Sequence, residues 1–525
     1  MPVWCSECGA LQAVDELTEE LRCPAGTSHY ALLNSNEAPL DSELPIVESM
    51  ILKIDASVAA IDKEILDLYC RIKELNEERD RLRSYRVKNR AILSPIRRLP
   101  PEILVEIFLW TTPNSVKRRR SSSRYSFPWP WVLTRISHRW REIAVSTPSL
   151  WSHVVVNFDL HPTPLPVLEA QIARAQELKI HIYGREIFYG SRSRAQIFQY
   201  LAQYSSRWEE FHFHATPALA PLLADIHGQV PLLRVLRIQW NYDPIWDDDG
   251  PVESIDFTEA APSLVDVSIF NEFSPMPISL PAQQLTRYEL RAPWDMHKTI
   301  LTRAPNLVEA HIDVRFGNES WLDTRGIIDM PQLDRLYISK LEVLRYIRTP
   351  VLQGLALSLT SADQTSVVPE LRSFLSRSSC TLRHLCLRRP CNPDTTIAIL
   401  KSIPSLIELD IILVTYDFTL ETLMENLAAH VTSESIVAPQ LSAIFFGTTC
   451  DAFGSEPYVE MVESRWKSPH CALRRAWLLT DSTPDSGTLG ILRSLRQEGL
   501  DFGALEQEDA ASVLASWVYS RKSLR

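Results

Sequence analysis

The sequence predicts an α/β fold in which leading helices are followed by a long run of short strands and helices building a curved parallel sheet. Three observations carry this expectation. Apolar residues recur at steps of three and four from Leu44 to Leu82. Two further helical stretches lie between Pro95 and Trp151. A strand-length unit, L-x-x-L-x-I, returns many times after Trp151.

The chain of 525 residues holds material for roughly two to four units. Apolar residues make up 45% and charged residues 23%, an ordinary globular balance. A formal charge of −11 argues against nucleic acid as a partner, because no basic surplus exists to neutralise phosphates. No window is apolar for long enough to span a membrane, and Met1–Cys8 lacks the basic-then-apolar order of a secretory signal. The nine cysteines are odd in number and scattered, which implies reduced thiols and a cytoplasmic or nuclear setting.

In order, residues 1–43 form a tail. Its Cys5-x-x-Cys8 pair, with Cys23 and His29, can supply four tetrahedral zinc ligands. The Cys23–His29 spacing is loose, and incidental cysteines remain the alternative. No metal site and no cofactor are expected. Over 44–93 the pattern becomes a heptad: Leu44, Val47, Ile51, Ile54, Val58, Ile61, Ile65, Leu68, Ile72, Leu75 and Leu82 form a seam, interrupted by Arg79. Such a helix needs a partner, either a second copy of the chain, giving a homodimer, or the chain's own body. Pro95 stops it.

Residues 95–151 read as two helices with a basic, serine-rich insert at 113–130. Pro100 and Pro101 suit a first turn, and Glu102 complements the helix dipole. Ile103, Ile107 and Trp110, with Leu104 and Phe108, give one helix a wide apolar face. Leu133, Ile136, Trp140, Ile143 and Ala144 do the same for the other. The insert around Lys117–Arg124 reads as a solvated loop, with a nuclear-import or phosphorylation patch as the alternative.

The ordered pattern L-P-x-E-I-L-x-x-I-F, then I-x-x-x-W-R-x-I-A and a closing L-W, resembles the F-box. The heptad helix leading into S-P-I-R-R-L-P-P-E resembles the large fungal branch of that family. The resemblance implies a three-helix module that binds a Skp-type adaptor and, through it, the cullin of a ubiquitin ligase. Carried over by motif, the adaptor-facing residues are Leu99, Pro100, Glu102, Ile103, Leu104, Ile107, Phe108, Ile136, Trp140, Ile143 and Trp151. Ser137-His138 departs from the valine-cysteine pair found in many members.

From 152 to 503 the repeat takes over, as in Pro231–Ile238, Pro262–Ile269, Pro305–Ile312 and Pro331–Ile338. Its anchors at 208, 233, 264, 285, 307, 333, 352, 382, 406, 441 and 473 stand 19 to 35 residues apart. Recurrence at this period signals a solenoid, and L-x-x-L-x-L resembles a degenerate leucine-rich repeat without its asparagine ladder. Helical spacing lies between strands at Leu165–Leu178, Val367–Leu375, Thr396–Ile403 and Tyr458–Trp466. Leu505–Val518 reads as an amphipathic helix, so that 504–525 would cap the sheet. The fold expected is thus an irregular leucine-rich-repeat-like α/β solenoid behind a heptad helix and an F-box.

No phosphate loop, dinucleotide fingerprint, H-E-x-x-H or G-x-S-x-G is present, so no catalytic constellation is expected. His212 and His214 sit at strand spacing but do not fill a metal site by themselves. Asp247–Gly250 lacks the later glutamate of a calcium loop. The target-facing column, by register, is Arg237, Ser268, Glu289, His311, Tyr337, Asp410 and Trp477, with Gln239, Arg291, Asp313 and Arg388 one step on. Mixed charge with aromatics suits a protein target. The function expected is a substrate receptor of a Skp–cullin–F-box ligase, with no chemistry of its own. A scaffold assembled through the coiled coil is the alternative, and a hydrolase in the C-terminal half would need a nucleophile and base that the sequence does not offer.

Overall fold

A computed structural model describes residues 23–111, 129–158, 165–183, 192–240, 255–271, 273–317, 326–390, 392–413, 420–429, 436–448, 456–480 and 486–506. The chain divides into two units, Met1–Leu104 and Val105–Arg525. Cys5 and Cys8, residues 113–128 of the insert and Asp247–Gly250 lie outside the described residues.

In the first unit, α1 (Ser28–Leu33) is capped by the Thr27 hydroxyl, which accepts from the Tyr30 amide at 3.3 Å. The heptad stretch forms one helix, α2 (Leu44–Ile92), of 49 residues, about 74 Å long. None of its residues is buried: Ile51, Val58, Ile65 and Ile72 are each about half exposed along the seam. A lone helix with this seam in water forgoes roughly 1.5–3 kcal/mol for each large apolar side chain left uncovered.

Helix α3 (Pro101–Trp110) follows, with Glu102 in its first turn. In the second unit, α4 (His138–Val145) starts at Ser137, whose hydroxyl accepts from the Trp140 amide at 3.2 Å. Ser137 is therefore the helix cap, the role for which serine is favoured, and His138 stands beside Glu142 one turn on. Single turns at Leu133–Arg135 and Pro148–Leu150 flank it.

Beyond Trp151 come sixteen described strands. They are β1 (His153–Asn157), β2 (Leu178–Tyr183), β3 (Trp208–Ala215), β4 (Val235–Trp240), β5 (Asp266–Asn271), β6 (Arg287–Ala292), β7 (Glu309–Val314), β8 (Ile328–Asp329), β9 (Arg335–Ile338), β10 (Ile347–Arg348), β11 (Gly354–Ser358), β12 (His384–Arg388), β13 (Glu408–Leu413), β14 (Ala443–Thr448), β15 (Arg475–Thr480) and β16 (Asp501–Glu506). All but β8 and β10, which pair with each other, form one fourteen-stranded parallel sheet in chain order. The sheet is open: β1 and β16 are its two edges. Parallel neighbours need a crossover, and helices supply many of them. These helices are α5 (Leu165–Arg174), α6 (Arg192–Ala202), α7 (Ala220–Ala224), α8 (Trp294–Thr302), α9 (Val367–Ser378), α10 (Pro393–Lys401), α11 (Leu420–Leu427), α12 (Glu456–Lys467) and α13 (Ser486–Gln497). Helix α10 shows the local logic. Asn392 caps it by accepting from the Thr395 amide at 2.8 Å, and Pro393 occupies the first turn, where no donor is needed.

In β4–β7, β9 and β11–β15 the strand begins two residues after the leucine anchor of the repeat. The alternate residues, such as Ile180, Phe211, Leu236, Val267, Leu385 and Leu409, are fully buried in register and form the core face. One expectation is corrected here. Leu505 and Glu506 belong to β16, paired with Leu479 and Thr480, and do not start a helix; 507–525 lie outside the described residues. The edge of a parallel sheet outcompetes helical spacing in so short a segment.

Arginines fasten successive units together. Arg207 donates to the carbonyls of Gln176 (2.8 Å), Ile172 (3.1 Å) and Ala175, in and just after the last turn of α5. Arg377 donates to Ile347 (3.2 Å) and Leu344, and Arg465 to Leu427, Val437 and Ala438. Each reaches back about one repeat.

His297 of α8 is fully buried. Its Nδ1 lies 2.9 Å from the Tyr288 hydroxyl and its Nε2 3.3 Å from the Asp313 carbonyl. Neutral imidazole satisfies both, accepting from the hydroxyl and donating to the carbonyl. Burial drives its pKa from 6.5 to about 4. The unfolded chain therefore binds a proton that the folded chain refuses between those two values, and stability falls as pH falls through that window, by about 3 kcal/mol in all. Glu289 and Asp313 are held below the usual carboxylate range, so their contribution is lost mostly at more acid pH. Urea titrations at pH 7 and 4.5 are expected to show this loss, and His297→Asn to flatten it. An unchanged pH slope in that variant would contradict the assignment.

Candidate interaction surfaces

The first surface is built on α3 and α4. The motif residues divide by exposure. Leu104 (0%), Phe108 (1%), Ile143 (8%) and Trp151 (0%) are buried. Their expected adaptor-facing role is corrected: they hold the module together. The Phe108 ring packs on Trp140 with centroids 4.7 Å apart. The Trp151 indole donates to the Ala144 carbonyl at 2.7 Å and meets Trp131 edge-on. Arg174 of α5 lies over both rings, at 4.5 and 4.7 Å, and Gln171 donates to the carbonyls of Trp151 and His153. Trp151 thus rivets α4 to the start of the sheet. Burial pushes the Arg174 pKa down, and the charge of Arg141 adds to this.

Ile103, Ile107 and Trp110 remain exposed on α3, at 47%, 37% and 87%, and three- and four-residue spacing puts them on one helix face. Ile136 is 54% exposed. Pro100 and Glu102 are exposed, and Leu99 and Trp140 half-buried. Exposed isoleucine and tryptophan at helical spacing is a surface made for covering.

The second surface is the sheet face opposite the core. Pairing sets His212, Arg237, Ser268, Glu289, His311, Tyr337, Ala356, Cys386, Asp410, Phe445 and Trp477 in one continuous row. The column read from sequence therefore stands on one face, but its members differ in access. Arg237, Ser268, Glu289, His311 and Trp477 are half-buried. Tyr337 (7%) and Asp410 (0%) are buried, which corrects their expected target-facing role. Tyr337 packs edge-on against His311 and into a cluster with Ala356, Cys386, Ile412 and Phe445. The Asp410 carboxylate lies 3.0 Å from His384 Nε2, so its charge is answered inside the sheet.

From β4 to β9 this face carries an ion ladder. Arg237 binds Asp266 through both guanidinium nitrogens (2.7 and 2.6 Å); Arg287 bridges Asp266 (3.4 Å) and Glu309 (3.2 Å); Arg335 reaches Glu309 at 3.3 Å. In the adjoining rows His311 pairs with Glu289 at 3.1 Å and Arg291 with Asp313 at 2.9 Å, the latter guanidinium lying over Phe270. Burial alone would raise Glu289 and Asp313. His311, Ser268 and Arg237 outweigh it for Glu289, and Arg291, Arg315 and Ser339 for Asp313. Charges so closely matched give a face rich in directional hydrogen bonds with little net field. From β14 to β16 the face turns aromatic: Phe445 and Trp477 stack with planes 7° apart. Gly503 is needed beside them, because a Cβ there would lie 2.6 Å from the Trp477 ring.

The column expected from the repeat register omits His181, which pairing sets beside His212, because β2 carries no leucine anchor; its alternating L-K-I-H-I-Y is the signal that could have found it. Cys23 and His29, the described part of the suggested zinc set, are half-buried, and Cys23 is a free thiol. Among the described residues no helix is long and apolar enough to cross a membrane. Compared with known proteins, the chain matches no family model, and no curated protein matches it.

Proposed function

We propose that this chain is the substrate-recognition subunit of a Skp–cullin–F-box ubiquitin ligase. The observation that carries the reading is the division of the α3 residues into a buried pair, Leu104 and Phe108, and an exposed set, Ile103, Ile107 and the following Trp110, left for a partner. The adaptor would cover that exposed set and bring the cullin with it, so the ligase partners would carry the chemistry. The chain-ordered parallel sheet would then act as an irregular leucine-rich-repeat-like solenoid whose open face holds a target protein. Arg237, Glu289, His311 and Trp477 are its accessible contacts, hydrogen-bonding along the ladder and anchoring apolar side chains at Trp477. Such a role fits the cytoplasm or nucleus.

The exposed seam of α2 favours one addition, self-association as a coiled coil. It also supports the competing reading, a scaffold assembled through α2 without a ligase. Charge placed on the exposed helix face separates the two. Ile103→Asp with Ile107→Asp is expected to abolish co-purification with a Skp-type adaptor, while the melting temperature and the copy number by light scattering stay unchanged. Undiminished adaptor binding in that folded variant would defeat the receptor reading.

A further inference from the structure

We propose that His181, Glu210 and His212 form a binding site for a divalent transition metal of the zinc type on the open sheet face. Glu210 and His212 are two residues apart on β3 and so project to the same side. His181 of β2 is the cross-strand partner of His212, and their rings stand 4.1 Å apart. One ligand atom from each of the three residues lies within 4.8 Å of the other two. A tetrahedral ion with bonds of about 2.0–2.1 Å holds its ligand atoms about 3.4 Å apart, so small side-chain rotations on two fixed strands close the site.

The donor set selects the ion. Two imidazoles and one carboxylate suit zinc and its neighbours, whereas calcium and magnesium require mostly oxygen. Three protein ligands leave a fourth position for water, the arrangement of an open rather than a closed zinc site. His181 is 4% exposed, which limits its freedom.

One neighbour opposes the metal. The Lys179 ammonium lies 2.6 Å from Glu210 and 3.4 Å from Glu209. Burial would lower its pKa, but the two carboxylates outweigh this and hold it above the ordinary value. Glu209 can keep Lys179 when Glu210 turns to the metal, so the ion exchanges one partner of a shared pair and strands no charge. A second grouping, His227, Asp256 and Glu259, is wholly exposed and lacks this preorganisation.

The test is zinc binding to the full chain carrying Cys5→Ser, Cys8→Ser and Cys23→Ser, which removes the competing N-terminal thiols. Equilibrium dialysis is expected to find one zinc per chain. His181→Gln and His212→Gln should each weaken binding by at least roughly tenfold, and Lys179→Met should tighten it by removing the competing ammonium. Absence of zinc from the parent without its three N-terminal thiols, or equal affinity in the folded histidine variants, would overturn the site. If circular dichroism shows the histidine variants misfolded, Lys179→Met decides: tighter binding supports the site and unchanged affinity overturns it.

Discussion

Trp151→Ala is expected to cost about 3–5 kcal/mol in unfolding free energy, the range for deleting a fully buried tryptophan. The indole is 0% exposed, and its loss takes a partner from each of three groups. The Ala144 carbonyl loses its indole donor, Trp131 loses its edge-on partner, and Arg174 loses one of its two aromatic faces. Trp151→Phe restores much of the volume but not the indole donor, so its remaining cost is expected to include up to about 1 kcal/mol for that lost hydrogen bond, the carbonyl keeping the Thr147 amide at 3.4 Å. Urea denaturation of the two variants measures both. Because Trp151 faces inward, Trp151→Phe is also expected to bind an adaptor as the wild type does. Selective loss of adaptor binding in a folded Trp151→Phe protein would return that residue to the partner surface.

Arg465→Met is expected to be comparably damaging. Arg465 is 0% exposed and answers backbone carbonyls of Leu427 (2.7 Å), Val437 (2.8 Å) and Ala438 (2.7 Å) with two guanidinium nitrogens. Burial pushes its pKa below the ordinary value, and Cys471 opposes the shift without cancelling it. Methionine fills similar space but takes the donors from the Leu427 and Val437 carbonyls, at about 1–3 kcal/mol for each group that water does not reach, while Ala438 keeps the Leu441 amide at 3.2 Å. A loss of about 3–5 kcal/mol follows, the range for breaking a buried charged network. Arg465→Lys is expected to recover little, since a single ammonium cannot reproduce the planar fork. A midpoint shift under about 1 kcal/mol for Arg465→Met would show that the carbonyls find other donors.

These two residues also mark what was legible beforehand. The leucine anchors announced where strands begin because burial on one face imposes a period that composition preserves. The heptad of α2 was readable for the same reason, and the helix runs from Leu44 to Ile92. By contrast, β1 and β2 have no anchor, and H-V-V-V-N passes for a loop after a helix. The edge strand β16 overlapped a segment with helical spacing, where pairing to β15 decides the outcome. Access was the least legible property. Tyr337 and Asp410 share a row with Glu289 and His311, yet neighbours in the row bury them, and no one-dimensional pattern reports the size of a cross-strand neighbour. The same limit concealed His181 beside His212, and the reach of Arg465 to carbonyls a repeat away. Within α3 and α4 the apolar spacing marked two helices without saying which side chains face inward.

The most direct measurement of the central claim is size-exclusion chromatography with light scattering on the purified full chain mixed with a purified Skp-type adaptor. A single earlier peak containing adaptor and chain in equal numbers is the expected result, with the chain count also reporting whether α2 pairs two copies. Two separate peaks from a chain that is folded by circular dichroism would contradict the receptor reading and leave α2 and the open sheet face as the functional surfaces.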